Sequence, residues 1–313
     1  MSGKSNISFL PVVFTIGGSD SSGGAGIQAD LKTFGALGCY GTCALTAVTA
    51  QNTRGVQAVE LVDCDLLRQQ IDAVATDTEI AATKTGMLGS AAAVEAVAEA
   101  VERHRLAPLV VDPVMVAKSG DPLIDDEAVE ALRDRLLPLA TVLTPNVHEA
   151  GRLLETVGGS DAQCWRNAPT DVDAAGDAAR AICENHQVPA CVVTGVRREL
   201  ADGKLEAVDV WCNGEQVREI AGPRCNTGHT HGSGCTHSAA LAACLARGAE
   251  LDDALAMARQ LTQAAVSAGL TVGKGVTQPV HPLAWLDKPN ANGKALGCEN
   301  IPPRQAESDA IKS

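Results

Sequence analysis

The segment NTGHTHGSGCTH at residues 226–237 combines residue types that could bind and transfer a phosphate group. Gly232, Ser233 and Gly234 precede a single cysteine, Cys235, and an alanine- and leucine-rich run follows. A glycine-rich turn that leads into a helix leaves backbone N–H groups unpaired at the positive end of the helix dipole, which suits an anion. A thiol at that position is expected to have its pKa lowered from about 8.5 toward neutrality. The segment therefore predicts a phosphate site that already holds a base.

Two other interpretations of this segment stay open at this point. Glycines before a helix are often only a tight turn, and cysteine is one of the residue types most often simply buried. A metal site is the second alternative, because three histidines lie close to the thiol: His229, His231 and His237. Against a zinc site, the spacings fit none of the common patterns and no C-x-x-C pair accompanies them.

Composition limits the classes of protein to which this chain can belong. Its 313 residues, 45% of them hydrophobic, can bury one large α/β core, and with 2% aromatic residues that core must be packed by Ala, Val and Leu. The net charge of −13 argues against a nucleic-acid or anionic membrane surface. No apolar run reaches the roughly 18 residues that a membrane span needs. Eleven cysteines in a chain without an export signal are expected to be reduced thiols in a cytoplasmic protein.

Short apolar runs alternate with amphipathic helical patterns along the chain. The runs are hydrophobic on both faces, which is typical of strands in a parallel sheet covered by helices. They lie at 11–16, 108–112, 141–145 and 190–195. Helical spacing between the runs, as at Leu67, Ile71 and Val74, predicts the covering helices.

Two further features set the expected boundaries of the fold. Asn213-Gly214 between two alternating runs at 205–220 predicts an antiparallel hairpin at one edge of the sheet. We expect one α/β domain from 11 to 286, because no interior linker is evident. A flexible segment at 1–10 and a disordered tail at 287–313 are expected on either side of it.

Polar and glycine-rich segments follow directly after the apolar runs. They are GGSDSSGGAG (17–26), KTGM (84–87), DPVMVAKSGD (112–121), TPNVHE (144–149) and TG (194–195). In open α/β sheets, ligand sites form outside the carboxyl ends of the strands, so most of these loops are expected to meet at one edge. Each segment alone is weak evidence, since GGSDSSGGAG is neither a P-loop nor a complete dinucleotide fingerprint.

Taken together, these segments closely resemble the hydroxymethylpyrimidine/phosphomethylpyrimidine kinase family of thiamine biosynthesis, within the ribokinase-like superfamily. The matching stretches run from about residue 14 to residue 285 and include GGSDSSGGAGIQADLKTFGALG, TAVTAQNTRGVQ, KTGML, VMVAKSGDPL, TPNVHEA, THGSGCT and VGKG. The resemblance implies a three-layer α/β/α sandwich with a mostly parallel central sheet and an antiparallel edge hairpin. It also implies ATP- and Mg²⁺-dependent phosphorylation of 4-amino-5-hydroxymethyl-2-methylpyrimidine to its monophosphate and then to its diphosphate.

The resemblance assigns one group of residues to the pyrimidine. Gln51 is expected to hold the ring, and an amide suits this role because it donates and accepts hydrogen bonds at once. A methionine thioether suits a heteroaromatic face in a chain with few aromatic residues. The other residues expected around the ring are Gly18, Asp20, Asp30, Met87 and Val114.

The resemblance assigns a second group of residues to phosphoryl transfer. Cys235 is expected to be the base, beside an anion hole formed by Gly232, Ser233 and Gly234. Glu149 of the N-x-x-E motif is expected to organise Mg²⁺ through water, with Asp112 as the second metal residue. The residues expected to bind the nucleotide are Lys118, Asn146, Thr194, Gly195, His231 and Lys274.

Three positions depart from the family pattern. Ser21 stands where a proline is common in the first loop, which removes rigidity but no chemical group. Val196 follows Gly195 where members usually have a second glycine, and Gly228-His229 stands where they often have Lys-Asn. The last two changes bear on how the nucleotide is bound.

Alternative functions remain open on the sequence. A pyridoxal or pyridoxine kinase would act on another flat ring with a hydroxymethyl group. A non-catalytic pyrimidine-binding protein would have no need of Cys235 as a base. The expected partners are the aminopyrimidine, ATP and, because relatives often dimerise, a second copy of the chain, with neither nucleic acid nor membrane.

Overall fold

Alternating strands and helices build the part of the chain that the computed structural model describes, which is residues 10–117, 120, 122–155, 169 and 171–287. The strands are β1 (Val12–Asp20), β2 (Tyr40–Asn52), β3 (Gly55–Leu61), β4 (Ile80–Thr85), β5 (Leu109–Val111), β6 (Val142–Leu143), β7 (Cys191–Glu199), β8 (Leu205–Cys212), β9 (Val217–Pro223), β10 (His229–His231) and β11 (Gln278–Pro279). The helices are α1 (Gly26–Ala36), α2 (Cys64–Ala75), α3 (Ala91–His104), α4 (Asp126–Ala131), α5 (Val147–Leu154), α6 (Val172–His186), α7 (Ser233–Ala246) and α8 (Leu251–Ser267). A π-helical turn at Leu132–Leu136 and 3₁₀ turns at Leu137–Leu139 and Pro282–Asp287 complete the described elements.

A nine-stranded sheet forms the centre of the molecule in the order β3-β2-β1-β4-β5-β6-β7-β8-β9. The inner strands from β2 to β7 pair in parallel. The hairpin predicted around Asn213-Gly214 is confirmed as β8 and β9, which pair antiparallel at one edge. Strand β8 also pairs antiparallel with β7, and the opposite edge carries a further antiparallel pair, β2 and β3, that the sequence did not predict.

Two apolar cores, one on each face of the sheet, make the fold a three-layer α/β/α sandwich, as expected. Strand β5 shows how the sequence divides between them, because successive side chains of a strand point to opposite faces. Leu109 and Val111 lie in the core under α2 to α6, whereas Val110 lies in the core under α1, α7 and α8. All three side chains are fully buried, which explains why the run is apolar on both faces.

Helix α7 is the buried helix that presents the cysteine segment to the sheet. Its residues from Ala239 to Ala243 are fully buried, and it packs against α1, α8, β4 and β5. Small side chains allow this close approach on several sides, which accounts for the alanine-rich run after Cys235. The amino end of α7 is thereby fixed at the carboxyl edge of the parallel strands.

The ends of the chain bear on two expectations. Residues 1–9 and 288–313 lie outside the described part, and so does most of the flexible segment and tail expected at 1–10 and 287–313. Within the described residues, no helix is both long and apolar enough to cross a membrane.

Candidate active site

A cavity that is open to solvent lies where the carboxyl ends of the parallel strands meet the amino end of α7. Most of the side chains predicted from the sequence line it, so the loops converge as expected. The predicted residues that line it are Gly18, Asp20, Asp30, Gln51, Met87, Asp112, Val114, Asn146, Glu149, Thr194, His231, Gly232, Ser233, Gly234 and Cys235. Gly195 and Lys274 are not among the lining residues, and Lys118 lies outside the described part of the chain.

The amino end of α7 borders this cavity with uncapped backbone. Gly232 is the N-cap residue and has no side-chain capping bond, and its φ of +78° is one that glycine adopts without strain. A Cβ at Gly232 would lie 1.9 Å from the carbonyl oxygen of Gly24 in the first loop. Because Ser233, Gly234 and Cys235 form the first turn, their N–H groups are among those that a helix leaves for an anion.

The Cys235 thiol lies in the first turn of α7, and its environment corrects one expectation. Burial raises the pKa of Cys235 to about 12, against the nearby charge of Lys84 and a backbone hydrogen bond from Gly26, which both lower it. The expectation of a pKa lowered toward neutrality was therefore wrong. Cys235 is only partly exposed at the cavity wall, and the cost of removing a thiolate from water there exceeds the stabilisation by Lys84 and Gly26.

Lys84 is a functional candidate that the sequence analysis did not identify. It is the penultimate residue of strand β4, its side chain is 1% exposed, and it lines the cavity. Its Nζ lies 2.9 Å from Oδ2 of Asp30 on α1 and 3.8 Å from Oδ2 of Asp112 after β5. Burial alone would lower the pKa of Lys84, but the charges of Asp30, Cys235 and Asp112 raise it, so the side chain is a fixed cation. A lysine inside the apolar run IAATKT was the one signal of this in the sequence.

Asp30 is the buried partner of Lys84. Its side chain is 1% exposed, and its carboxylate also accepts a 2.7 Å hydrogen bond from Oγ1 of Thr15. Lys84 engages both oxygens of Asp30, and Thr15 donates to one of them, so Asp30 holds the Lys84 ammonium beside the cavity. The expected contact of Asp30 with the pyrimidine ring stays a prediction.

Asp20 organises the first loop. Its carboxylate accepts hydrogen bonds from the backbone N–H groups of Ser22, Gly24 and Ala25 at 2.8–3.2 Å. Nε2 of His231 lies 2.8 Å from the same carboxylate, and both side chains are buried. Burial would raise the pKa of Asp20, but the hydrogen bonds from His231 and Ser22 lower it below its usual value. The contact between Asp20 and His231 therefore ties the first loop to strand β10, which precedes α7.

Four more residues expected around the ring line the cavity, namely Gly18, Gln51, Met87 and Val114. Gly18 and Met87 pack closely, because a Cβ at Gly18 would lie 3.0 Å from Sδ of Met87. Oε1 of Gln51 accepts a hydrogen bond from Oγ1 of Thr49 at 3.2 Å. The cavity wall therefore offers a carboxamide and a thioether, which suit a flat polar heterocycle.

Two carboxylates, Asp112 and Glu149, border the cavity on the side of β5 and α5. Asp112 accepts a hydrogen bond from Oγ of Ser238 at 2.9 Å, and burial raises its pKa against the charge of Lys84. Oε2 of Glu149 accepts from the backbone N–H of Asn146 at 2.9 Å and so completes the capping box of α5. In the described residues, no three His, Cys, Asp or Glu side chains are placed to hold a metal unaided. This donor set fits Mg²⁺, which keeps several waters and binds proteins through one or two carboxylates together with phosphate oxygens.

Of the residues expected to bind the nucleotide, Asn146, Thr194 and His231 line the cavity, whereas Gly195 and Lys274 do not. Asn146 and Thr194 form a parallel bridge between the loop after β6 and strand β7. Gly195 adopts a φ of +79° at a bulge in β7, where its N–H donates to Oδ1 of Asp209 at 3.2 Å. Lys274 lies between Gly273 and Gly275, which pack against Thr53 of the β2–β3 turn. The nucleotide-binding roles of these residues stay predictions.

The histidines near Cys235 have separate partners. Oγ1 of Thr227 lies 2.5 Å from Nδ1 of His229, and Nδ1 of His237 lies 3.9 Å from Oδ2 of Asp209. His231 is bonded to Asp20. The structure therefore does not gather the His/Cys cluster of the alternative zinc site around one point.

Known proteins and one family model match most of this chain in sequence. The family model described as phosphomethylpyrimidine kinase matches residues 20–281. The hydroxymethylpyrimidine/phosphomethylpyrimidine kinase of Rhizobium meliloti (strain 1021) is 42% identical over 277 residues, which cover 86% of this chain and 96% of that protein.

Solved structures are similar as well. An ADP complex of Bacillus subtilis pyridoxal kinase matches with a TM-score of 0.77 and 35% identity, over 88% of this chain and 98% of that one. Phosphomethylpyrimidine kinase from Clostridium difficile 630 matches with a TM-score of 0.66 and 36% identity, over 81% of this chain and 98% of that one. These matches confirm the expected ribokinase-like fold.

Proposed function

Because the chain belongs to the phosphomethylpyrimidine kinase family and is a phosphotransferase, we propose that it phosphorylates 4-amino-5-hydroxymethyl-2-methylpyrimidine with ATP. In a second step it phosphorylates the monophosphate to the diphosphate, for thiamine biosynthesis. The observation that carries the proposal is the cavity itself. It brings a carboxamide, Gln51, and the uncapped amino end of α7 with Cys235 into one cavity.

Binding and orientation come first in the proposed mechanism. Gln51 hydrogen-bonds the edge of the pyrimidine, and Met87 and Val114 pack against its faces, so the hydroxymethyl group points toward Cys235. The transferred phosphoryl group lies against the first-turn N–H groups of α7. There the helix dipole and the N–H donors stabilise the negative charge that builds up on its oxygens.

The proton of the hydroxymethyl group goes to the sulfur of Cys235. To accept that proton the cysteine must be a thiolate, and its burial opposes ionisation. Lys84 is the fixed cation that favours the thiolate, and Asp30 holds it in place. The Lys84 charge also offsets the negative charge of the alkoxide as it forms.

Mg²⁺ is part of the proposal. Asp112 and Glu149 are the residues that would hold it, with water and phosphate oxygens as its remaining ligands. When bound, the ion neutralises charge on the phosphates that are transferred.

The proposal is tested with purified protein, ATP, MgCl₂ and the hydroxymethylpyrimidine. ADP release is followed in a coupled assay, and the products are identified by mass spectrometry. We expect the monophosphate first and the diphosphate after it, and no ADP above background when the pyrimidine is omitted. Tight binding of the pyrimidine without any ADP release would instead support the non-catalytic alternative.

Pyridoxal kinase is a second candidate, because the solved pyridoxal kinase from Bacillus subtilis covers 88% of this chain at 35% identity. Pyridoxal also carries a hydroxymethyl group on a flat ring, so one cavity could orient both substrates. The rate of ADP release with pyridoxal as the substrate is measured in the same coupled assay.

Assembly and location complete the proposal. A homodimer is supported by exposed apolar side chains on the edge pair β2 and β3, namely Val48, Val59 and Leu61. Sedimentation velocity tests it, with an expected mass of twice that of the chain.

We also propose a reducing, cytoplasmic location, which is supported by the free thiol state of every cysteine in the described residues.

A further inference from the structure

The hydroxyl of Ser21 bridges the first loop and strand β2 at one residue. Its Oγ accepts a hydrogen bond from the backbone N–H of Gln51 at 2.8 Å and donates one to the carbonyl oxygen of Gln51, also at 2.8 Å. We propose that Ser21 is a positioning residue for pyrimidine recognition, which fixes the backbone of Gln51 and thereby the direction of its carboxamide. The inference rests on the proposed function, because it takes Gln51 as the residue that binds the ring.

The backbone of Gln51 needs a hydrogen-bond partner from outside β1, because the pairing of β1 with β2 ends before Gln51. The parallel pairing of β1 with β2 stops at Asp20 and Thr49, two residues before Gln51. The N–H and C=O groups of one strand residue point to the same side, so those of Gln51 point past the end of β1. Ser21 follows Asp20 directly and supplies the missing donor and acceptor with a single hydroxyl.

On the side of Gln51 that faces β3, the strand pairing is less regular. Strand β3 pairs with β2 there, but the register shifts between Ala50 and Gln51. The extra residue of this bulge, Gln57, is on β3, because Ala50 pairs with Ala58 and Gln51 with Val56. The two hydrogen bonds between Ser21 and Gln51 therefore restrain Gln51 at the point where the neighbouring strand β3 is irregular.

The orientation of the carboxamide follows from the same contacts. Thr49 and Gln51 lie two positions apart, so their side chains share one face of β2. The single hydroxyl hydrogen of Thr49 is shared between the carbonyl oxygen of Ser19 at 2.9 Å and Oε1 of Gln51 at 3.2 Å. The backbone of Gln51 is thus tied to the first loop and its side chain to the end of β1.

Ser21 is itself held in place from within the loop. Asp20 accepts hydrogen bonds from the backbone N–H groups of Ser22, Gly24 and Ala25, which leaves the loop little freedom to shift. The Ser21 side chain is exposed, so its hydroxyl can be removed without opening a cavity in the core. A role in the stability of the fold alone would leave substrate binding unchanged.

The test compares Ser21→Ala, Ser21→Thr and wild type. For Ser21→Ala we expect KM and the calorimetric Kd for the pyrimidine to rise about fivefold or more, the scale of a lost neutral hydrogen bond. Its kcat and its KM for ATP are expected to stay within about twofold of wild type. Ser21→Thr keeps the hydroxyl and should restore pyrimidine binding. Ser22→Ala is the matched control, because its hydroxyl bonds Asp20 at 2.9 Å and not Gln51.

A double-mutant cycle with Gln51→Ala separates the inference from the function on which it rests. We expect Ser21→Ala to have no further effect on pyrimidine Kd in the Gln51→Ala background. If Gln51→Ala weakens pyrimidine binding and Ser21→Ala does not, the positioning role of Ser21 is refuted and the proposed function stands. Equal effects of Ser21→Ala in both backgrounds would also refute it. Absence of turnover with any pyrimidine in wild type would be a failure of the proposed function.

Discussion

Nζ of Lys84 lies 2.9 Å from Oδ2 of Asp30, and both side chains are 1% exposed. The pair joins strand β4 to helix α1 beside the cavity. A charge buried in this way keeps a fixed position, because neither side chain can turn toward water without unpairing the other. We regard it as the part of the site that sets the electrostatic environment of Cys235.

Lys84→Met is expected to lower the free energy of unfolding by about 3–5 kcal/mol, because it leaves the Asp30 carboxylate buried without its cation. The Lys84→Met/Asp30→Asn double variant removes both charges and should recover most of that loss. Urea denaturation of the two variants and wild type measures the effect. A single variant as stable as the double variant would show that the pair does not stabilise the fold.

The Cys235 thiol is expected to react slowly with iodoacetamide, because only the thiolate is alkylated and its pKa is raised to about 12. At pH 8 the rate constant should be about 10²-fold or more below that of free cysteine. Between pH 8.5 and 10 it should continue to rise with pH, whereas the rate of free cysteine levels off near its pKa of about 8.5. Mass spectrometry of the peptide that contains Cys235 measures the rate. Alkylation faster than that of free cysteine would contradict the raised pKa.

Cys235→Ala is expected to lower kcat by about 10²-fold or more, which is the scale of general-base assistance. KM for the pyrimidine should change little, because the proposed ring contacts are Gln51, Met87 and Val114 and not the thiol. Cys244→Ala is a suitable control, since it removes another thiol from α7 away from the cavity. Steady-state kinetics on both variants give the comparison, and an unchanged kcat for Cys235→Ala would refute its role as the base.

Gly232→Ala and Gly234→Ala form a matched pair at the amino end of α7. A Cβ at Gly232 would meet the Gly24 carbonyl at 1.9 Å and strain a φ of +78°, whereas a Cβ at Gly234 would meet no atom within 4 Å. Gly232→Ala should lower the free energy of unfolding by at least about 1–3 kcal/mol. Gly234→Ala should leave it unchanged or raise it by up to about 1 kcal/mol. Equal stabilities in thermal or urea denaturation would show that the first loop does not pack on Gly232 as described.

The parts of the fold that the sequence predicts are those that depend on local pattern. Asn213-Gly214 between alternating runs predicts the hairpin of β8 and β9, because the turn residues and the strand period lie within one short segment. The pair β2 and β3 has no comparable turn signal at Thr53-Arg54, and it was missed.

The site illustrates a second limit of sequence reasoning. The convergence of the loops follows from the carboxyl-edge rule, and the residues that line the cavity are largely the predicted ones. Lys84 was missed because its role depends on Asp30, which is 54 residues away in the chain and comes near only through the packing of α1 on the sheet. The direction of the Cys235 pKa shift was wrong for a similar reason, since a helix terminus is visible in the sequence and its burial is not.

The most direct test of the proposed function compares kcat/KM for the hydroxymethylpyrimidine with kcat/KM for pyridoxal under the same ATP and MgCl₂ concentrations. The ratio reports which ring the cavity binds better in the transition state. We predict that the pyrimidine is preferred by about tenfold or more, the discrimination expected when ring contacts differ by one hydrogen bond or more. A preference for pyridoxal by about tenfold or more would contradict the account and assign the chain to vitamin B6 salvage.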